Sequence, residues 1–210
     1  MEHSPQRTGQ GYDEYRNFAF HPYNVMLILL LFGISALFLA FSGAFIYNRI
    51  QSQLPPIRLP ELFLINTLIL MGSSASLVWA KRCYLADNTR KYQRALWLTL
   101  GLSLVFLVSQ VFAWRQLFTR EIFIHTDNSA SYLYVISGLH FAHVIAGIPF
   151  LLAFISTAHT RMQDPVSVLI YFADPDKRLR LRLLSIYWHF LDGLWIYLVI
   201  FFWGNYLIRG

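Results

Sequence analysis

The sequence predicts an all-α fold, an integral membrane bundle of five transmembrane helices, and three observations lead there. Hydrophobic residues make up 56% of the 210 and charged residues only 13%, against about 25% charged in ordinary soluble domains. The apolar residues gather into five runs, each near the roughly 20 residues that crossing a bilayer requires. Lys and Arg collect in the short segments between those runs, as topology signals do. The net charge of +6 is therefore no pointer to nucleic acid. The single cysteine, Cys83, excludes an intramolecular disulfide and a clustered thiolate centre, and reads as an inert helix-end residue.

Residues 1–24 are polar, with Pro5, Gly9, Gln10 and Gly11. They read as a tail outside the bilayer, leaving 25–210 as one transmembrane domain. The first apolar run is too long for the core of a secretory signal, so it is expected to be a retained span over 25–47. Gly33, Ala36, Ala40 and Gly43 recur along it at intervals of three and four, a stripe that lets membrane helices approach closely. Pro55, Pro56 and Pro60 mark 49–60 as a loop, stopping one helix and starting the next.

The second span is expected over 61–80. Asn66, Ser73 and Ser76 share one face, with Thr67 and Ser74 beside them; such groups bond across helices for roughly 0.6 kcal/mol each. A basic loop, 81–94, leads to a third span over 95–117 that contains Gln110. Polar residues follow over 119–131, including Glu121, His125 and Asp127. The fourth span, 132–158, holds His140, His143 and Pro149, and the proline is expected to kink it. A second basic loop, 159–182, precedes the last span, 183–207.

Twelve of the 17 Lys and Arg fall on the side of the N-terminal tail and the two basic loops, and five fall on the other. The positive-inside rule then puts the N-terminus in the cytoplasm and the C-terminus outside, as an odd number of spans requires. Trp79, Trp97, Trp114, Trp188 and Trp203 lie near expected span ends, in the manner of an aromatic belt, and only Trp195 is expected deep.

The last span carries the most costly residues. His189 and Asp192 are three apart and share a helical face, and a charge at the bilayer centre costs about 2.5–3.5 kcal/mol even on an insertion scale. They must face protein, water or each other. By helical rise, His140 and His143 fall roughly 12–16 Å from the outer end of span four, and His189 and Asp192 roughly 9–14 Å from the inner end of span five. That puts them in opposite halves of the membrane, which argues against a shared haem. A di-iron centre needs several carboxylates with histidines, and Asp192 is the one deep acid. Intramembrane Asp and His also mark proton relays, but the other spans offer mainly Ser, Thr, Asn and Gln. The favoured reading is structural: His189 and Asp192 pair or hydrogen-bond to a neighbouring helix or a lipid headgroup, locking the bundle, and His140, His143 and Gly147 form a matching polar face.

Four motifs, in order and each on its expected helix, resemble subunit III of the haem–copper terminal oxidases, the cytochrome c oxidase subunit III family, in its short five-span bacterial form. They are Ile65-Asn66-Thr67 through Leu70 to Ser73-Ser74; Gln110 with Trp114; Gly138, His140, His143, Val144 and Gly147; and Tyr187-Trp188-His189-Phe190-Leu191-Asp192 to Trp195, where Leu191 stands for the family's valine. The first span departs from the family: Ser35 and Tyr47 align, but Ala36 stands where the family has a glutamate linked to proton uptake and lipid contact.

The resemblance implies a non-catalytic chain with no haem or copper of its own. Oxygen reduction to water and proton pumping would belong to subunit I, which holds haems and copper. Subunit III would pack beside subunit I and other oxidase subunits, bind phospholipid in a cleft, and support respiratory electron transport in the bacterial cytoplasmic (inner) membrane. His140, His143, His189, Asp192, Trp188, Trp195, Asn66 and Gln110 are the expected structural, lipid or subunit contacts; Gly33, Ala36, Ala40 and Gly43 are expected to serve helix packing. The related five-span accessory protein of nitric oxide reductase is a second reading, and a small membrane cytochrome b or proton-conducting protein a third.

Overall fold

The computed structural model describes residues 22–52, 59–120, 122, 128–162, 168, 171 and 174–208. The described residues are helical, in five elements: α1 (Pro22–Ser52), α2 (Leu62–Leu85), α3 (Thr89–Thr119), α4 (Asn128–Arg161) and α5 (Pro175–Leu207). All five are long and apolar enough to cross a membrane. The polar tail, Glu121, His125 and Asp127 lie outside the described residues, apart from the last three residues of the tail.

Every helix runs past its apolar stretch, because hydropathy marks only the lipid-immersed part of a helix. The basic loop expected over 81–94 shrinks to a turn between α2 and α3. Asp87 adopts a left-handed φ of 50°, which a short polar side chain tolerates better than most. The Asn88 N–H bonds back to the Cys83 carbonyl at 3.0 Å, and its side chain then caps α3 by accepting from the Lys91 N–H at 3.1 Å. Cys83 is buried in the last turn of α2.

The second basic loop is likewise shorter than expected. α5 begins at Pro175, where Asp174 accepts the Asp176 N–H at 2.9 Å. An acidic cap followed by proline at the first helical position is a strong helix start. Leu179 and Leu181 are buried in this added stretch, while Arg180 and Arg182 are exposed. α4 runs continuously through Pro149; the proline removes one backbone hydrogen bond without ending the helix.

The chain divides into two compact units, Met1–Leu39 and Ala40–Gly210, so α1 contributes to both. The first unit is helical from Pro22 on, and Ser35 bonds within it to the Leu31 carbonyl at 2.8 Å. In the second unit, α2 and α3 form an antiparallel hairpin, and α5 packs against both α2 and α4. The end of α1 joins this unit through Phe45, whose ring meets Tyr132, Phe201 and Phe202 at centroid distances of 5.8, 5.5 and 5.5 Å. Asn48 donates to the Tyr132 hydroxyl at 2.6 Å, and Arg49 donates to Asn205 at 2.9 Å. Arg49 was expected in a loop; it is a buried residue of the last turns of α1. The four small residues Gly33, Ala36, Ala40 and Gly43 are all exposed, and nothing lies within 4 Å of a Cβ built on either glycine. The stripe serves no close approach among the described residues.

Candidate functional site

The polar residues of α2 separate onto two faces, one toward α3 and one toward α5, with Ser73 reaching both. Asn66, Ser73 and Ser76 turn to α3. Asn66 donates to Gln110 at 2.8 Å, with both residues fully buried. Ser73 and Ser103 share a hydrogen bond at 3.3 Å, and Ser76 and Thr99 share one at 2.6 Å. Thr67 and Ser74, one position along from Asn66 and Ser73, turn to α5. The period of seven is about two helical turns, so each face forms a short polar ladder on an otherwise apolar helix.

α5 answers with two of its three indoles. Trp188 donates to the Ser73 hydroxyl at 3.1 Å and Trp195 to the Thr67 hydroxyl at 3.2 Å. Both are buried. Trp188 is thus no belt residue at a span end: with α5 starting at Pro175 it lies well inside the helix, wedged between helices. Trp195 stacks on Phe63 at 5.3 Å and 18°, and meets Phe106 edge-on at 5.2 Å and 84°. Such pairs add about 0.5–1.5 kcal/mol beyond the area they bury.

His140 closes this aromatic centre from α4. Its ring lies 4.9 Å from Trp195 and 5.7 Å from Phe106, and Nε2 donates to the Leu191 carbonyl at 3.1 Å. Nδ1 has no hydrogen-bond partner among the described residues. The expectation that the α4 and α5 histidines occupy opposite halves of the membrane fails here. α4 begins at Asn128 and α5 at Pro175, several residues before their apolar runs, so depths measured from the apolar ends were displaced. His140 lies level with Leu191, only two residues from His189. His143 turns its Nδ1 to the Leu139 carbonyl of its own helix at 2.7 Å, while its backbone carbonyl accepts the Tyr187 hydroxyl at 2.9 Å.

His189 is held from α2: Ser74 Oγ lies 2.5 Å from His189 Nδ1. Asp192 follows one helical turn along the same face of α5. Asp192 is 6% exposed, and its Oδ2 has no hydrogen-bond partner among the described residues. His189 is half-buried. Thus α2 ties α5 at Thr67, Ser73 and Ser74, and α3 at Asn66, Ser73 and Ser76.

Three contributors were not among the expected contact residues. Ser74, expected only to bond across helices, holds His189, Tyr187 reaches the α4 backbone, and Ser137 accepts the Trp114 indole N–H at 3.1 Å. Only the spacing of Thr67 and Ser74 gave a signal for the first. Among the described residues, no three or more His, Cys, Asp or Glu side chains are grouped so as to hold a metal ion. What the arrangement does chemically is join helices through directional bonds in a medium without water to compete.

The profile of the cytochrome c oxidase subunit III family matches residues 23–205. Among similar proteins, cytochrome c oxidase subunit 3 of Thermostichus vulcanus is 32% identical over 185 residues, covering 85% of this chain and 86% of that protein. The subunit 3 of Synechocystis sp. is 28% identical over 179 residues, covering 83% and 72%. That of Cyanidium caldarium is 26% identical over 193 residues, covering 86% and 67%. Polar ladders, indole anchors and a match running through all five helices agree: the chain belongs to the cytochrome c oxidase subunit III family.

Proposed function

We propose that this subunit III acts as a brace and lipid holder beside subunit I of a proton-pumping terminal oxidase. The family is a membrane component of the respiratory chain, subunit III belongs to a multi-subunit haem–copper oxidase, and the family does not itself bind haem or copper. Electron transfer and oxygen reduction then take place in subunit I. The N-terminus lies in the cytoplasm and the membrane is the bacterial inner membrane, a reading supported by the excess of Lys and Arg on one side of the spans.

One observation carries this role: Ser74 of α2 hydrogen-bonds His189 of α5, so an ionisable side chain of the interior is held by the neighbouring helix. A redox or transport site would leave such groups directed at a ligand or an aqueous path. Gly33, Ala36, Ala40 and Gly43, exposed in this chain, offer a neighbouring subunit or lipid a close approach. Ala36 in place of the family glutamate leaves the first span without an acid, which fits a bracing role better than proton uptake.

The test is gentle purification of the complex, with identification of what migrates with the chain and an optical spectrum of the isolated subunit. Subunit I and phospholipid are expected to co-migrate, and the isolated subunit is expected to lack a Soret band. A Soret band abolished by His140→Ala or His189→Ala would overturn the reading.

A further inference from the structure

A cavity of about 390 Å³ opens where α2 begins and α5 ends, and Glu61 is the one charged residue among those lining it. Val199, Trp203 and Tyr206 recur on α5 at i, i+4 and i+7, one helical face. Phe63 and Val199, both buried, form its inner wall, while Glu61, Leu64 and Trp203 are exposed at its edge. Glu61 stands at the N-cap of α2 and makes no side-chain capping bond among the described residues. The cavity therefore grades from a carboxylate with an indole and a phenol to a wall of Phe, Leu and Val.

We propose that this cavity holds the headgroup and upper acyl segment of a phospholipid bearing a primary ammonium group. A cation is attracted both by the carboxylate and by the faces of Trp and Tyr rings, and the apolar wall suits the first methylenes of the chains. Trp and Tyr sit at headgroup level in membranes, which is where such an ammonium lies. The carboxylate repels lipids that carry only negative charge. The inference rests on the lipid-holding role proposed above and specifies one site and one headgroup chemistry for it.

The test places the intact oxidase in nanodiscs of equal parts phosphatidylethanolamine and phosphatidylglycerol and counts retained lipids by native mass spectrometry. The native complex is expected to keep phosphatidylethanolamine in preference. Glu61→Gln should lower its retention about fivefold, the scale of one exposed charge contact, while Glu61→Asp and Trp203→Tyr, which conserve charge and ring, keep most of it. Phosphatidylglycerol retention should not fall in any variant, and should rise in Glu61→Gln, which lacks the repelling charge. Equal retention of the two lipids by the native complex, or unchanged retention in Glu61→Gln, overturns the site while leaving lipid holding elsewhere intact. Retention of no lipid at all overturns both. Carbodiimide coupling of Glu61 to a lysine of a neighbouring subunit also overturns the site, by showing a protein in the cavity.

Discussion

Gly147 of α4 lies flat against Trp188 of α5: a Cβ built on the glycine would stand 3.0 Å from Cζ3 of the indole and 3.0 Å from Cε1 of Tyr187. Neither ring is free to retreat, because the indole N–H is bonded to Ser73 and the Tyr187 hydroxyl to the His143 carbonyl. Gly147→Ala should therefore destabilise the subunit by about 1–3 kcal/mol, the usual cost of overpacking. Gly138, on the same helix with nothing within 4 Å of a built Cβ, is the control: Gly138→Ala should be neutral or slightly stabilising, since Gly costs about 0.5–1 kcal/mol relative to Ala inside a helix. Thermal unfolding of the two variants in detergent separates them. Equal melting points would refute the wedge.

Asn66 and Gln110 are joined by a single hydrogen bond, and Asn66 Oδ1 and Gln110 Nε2 have no partner among the described residues. Removing one amide leaves the other buried and unpaired, so Asn66→Ala should cost about 1–3 kcal/mol. Replacing both with leucine removes the polar groups together, and the double variant should be more stable than Asn66→Ala. A double-mutant cycle on subunit unfolding measures the coupling; strictly additive losses would show that the two amides do not depend on each other.

Asp192 should tolerate loss of its charge better than loss of its shape. Asn fills the same buried space with a polar head, whereas Ala opens a cavity. Asp192→Ala is expected to lower the amount of subunit retained in the complex, by about 0.5–3 kcal/mol, the usual range for one substitution, more than it lowers oxygen consumption by complexes that keep it. Asp192→Asn should retain the subunit nearly as well as the native chain. Subunit stoichiometry measured beside oxygen uptake decides the matter; full stoichiometry with abolished turnover in either variant would mean that Asp192 takes part in proton handling.

Trp195 carries more of the interior than any other side chain at the centre, since it touches Phe63, Phe106 and His140 and bonds Thr67. Trp195→Ala should cost about 3–5 kcal/mol, typical of a large aromatic truncated in a packed core. Trp195→Phe should cost clearly less. Thr67 already donates to the Phe63 carbonyl at 2.9 Å, so losing the indole leaves no stranded hydroxyl proton. Membrane levels of the two variants, compared at growth temperature, check the order.

The five helices were legible because an apolar run of bilayer length is a strong signal in a chain with few charges. Their ends were not, because hydropathy is blind to the turns of helix beyond the lipid. The Asp174–Pro175 cap had the form of a helix start, yet it lay within a segment whose charges suggested a loop. Those missing turns displaced the apparent depths of Trp188 and His189. The candidate site was half legible. Spacing put Asn66 and Ser73 on one face and Thr67 and Ser74 beside them, and the cost of burying His189 demanded a partner. Which hydroxyl would supply it depended on how α2 and α5 pack, and that is a matter of tertiary register that no local pattern contains.

α5 spans 33 residues, close to 50 Å at 1.5 Å per residue, against hydrocarbon about 30 Å thick. Its first turns, with Lys177, Arg178, Arg180 and Arg182, cannot follow the rest into oil. They work as a float that fixes how low the helix rides. A slip by one turn would drag Asp192 roughly 5 Å along the normal, so the waterline of the arginines sets the level of a carboxylate several turns away.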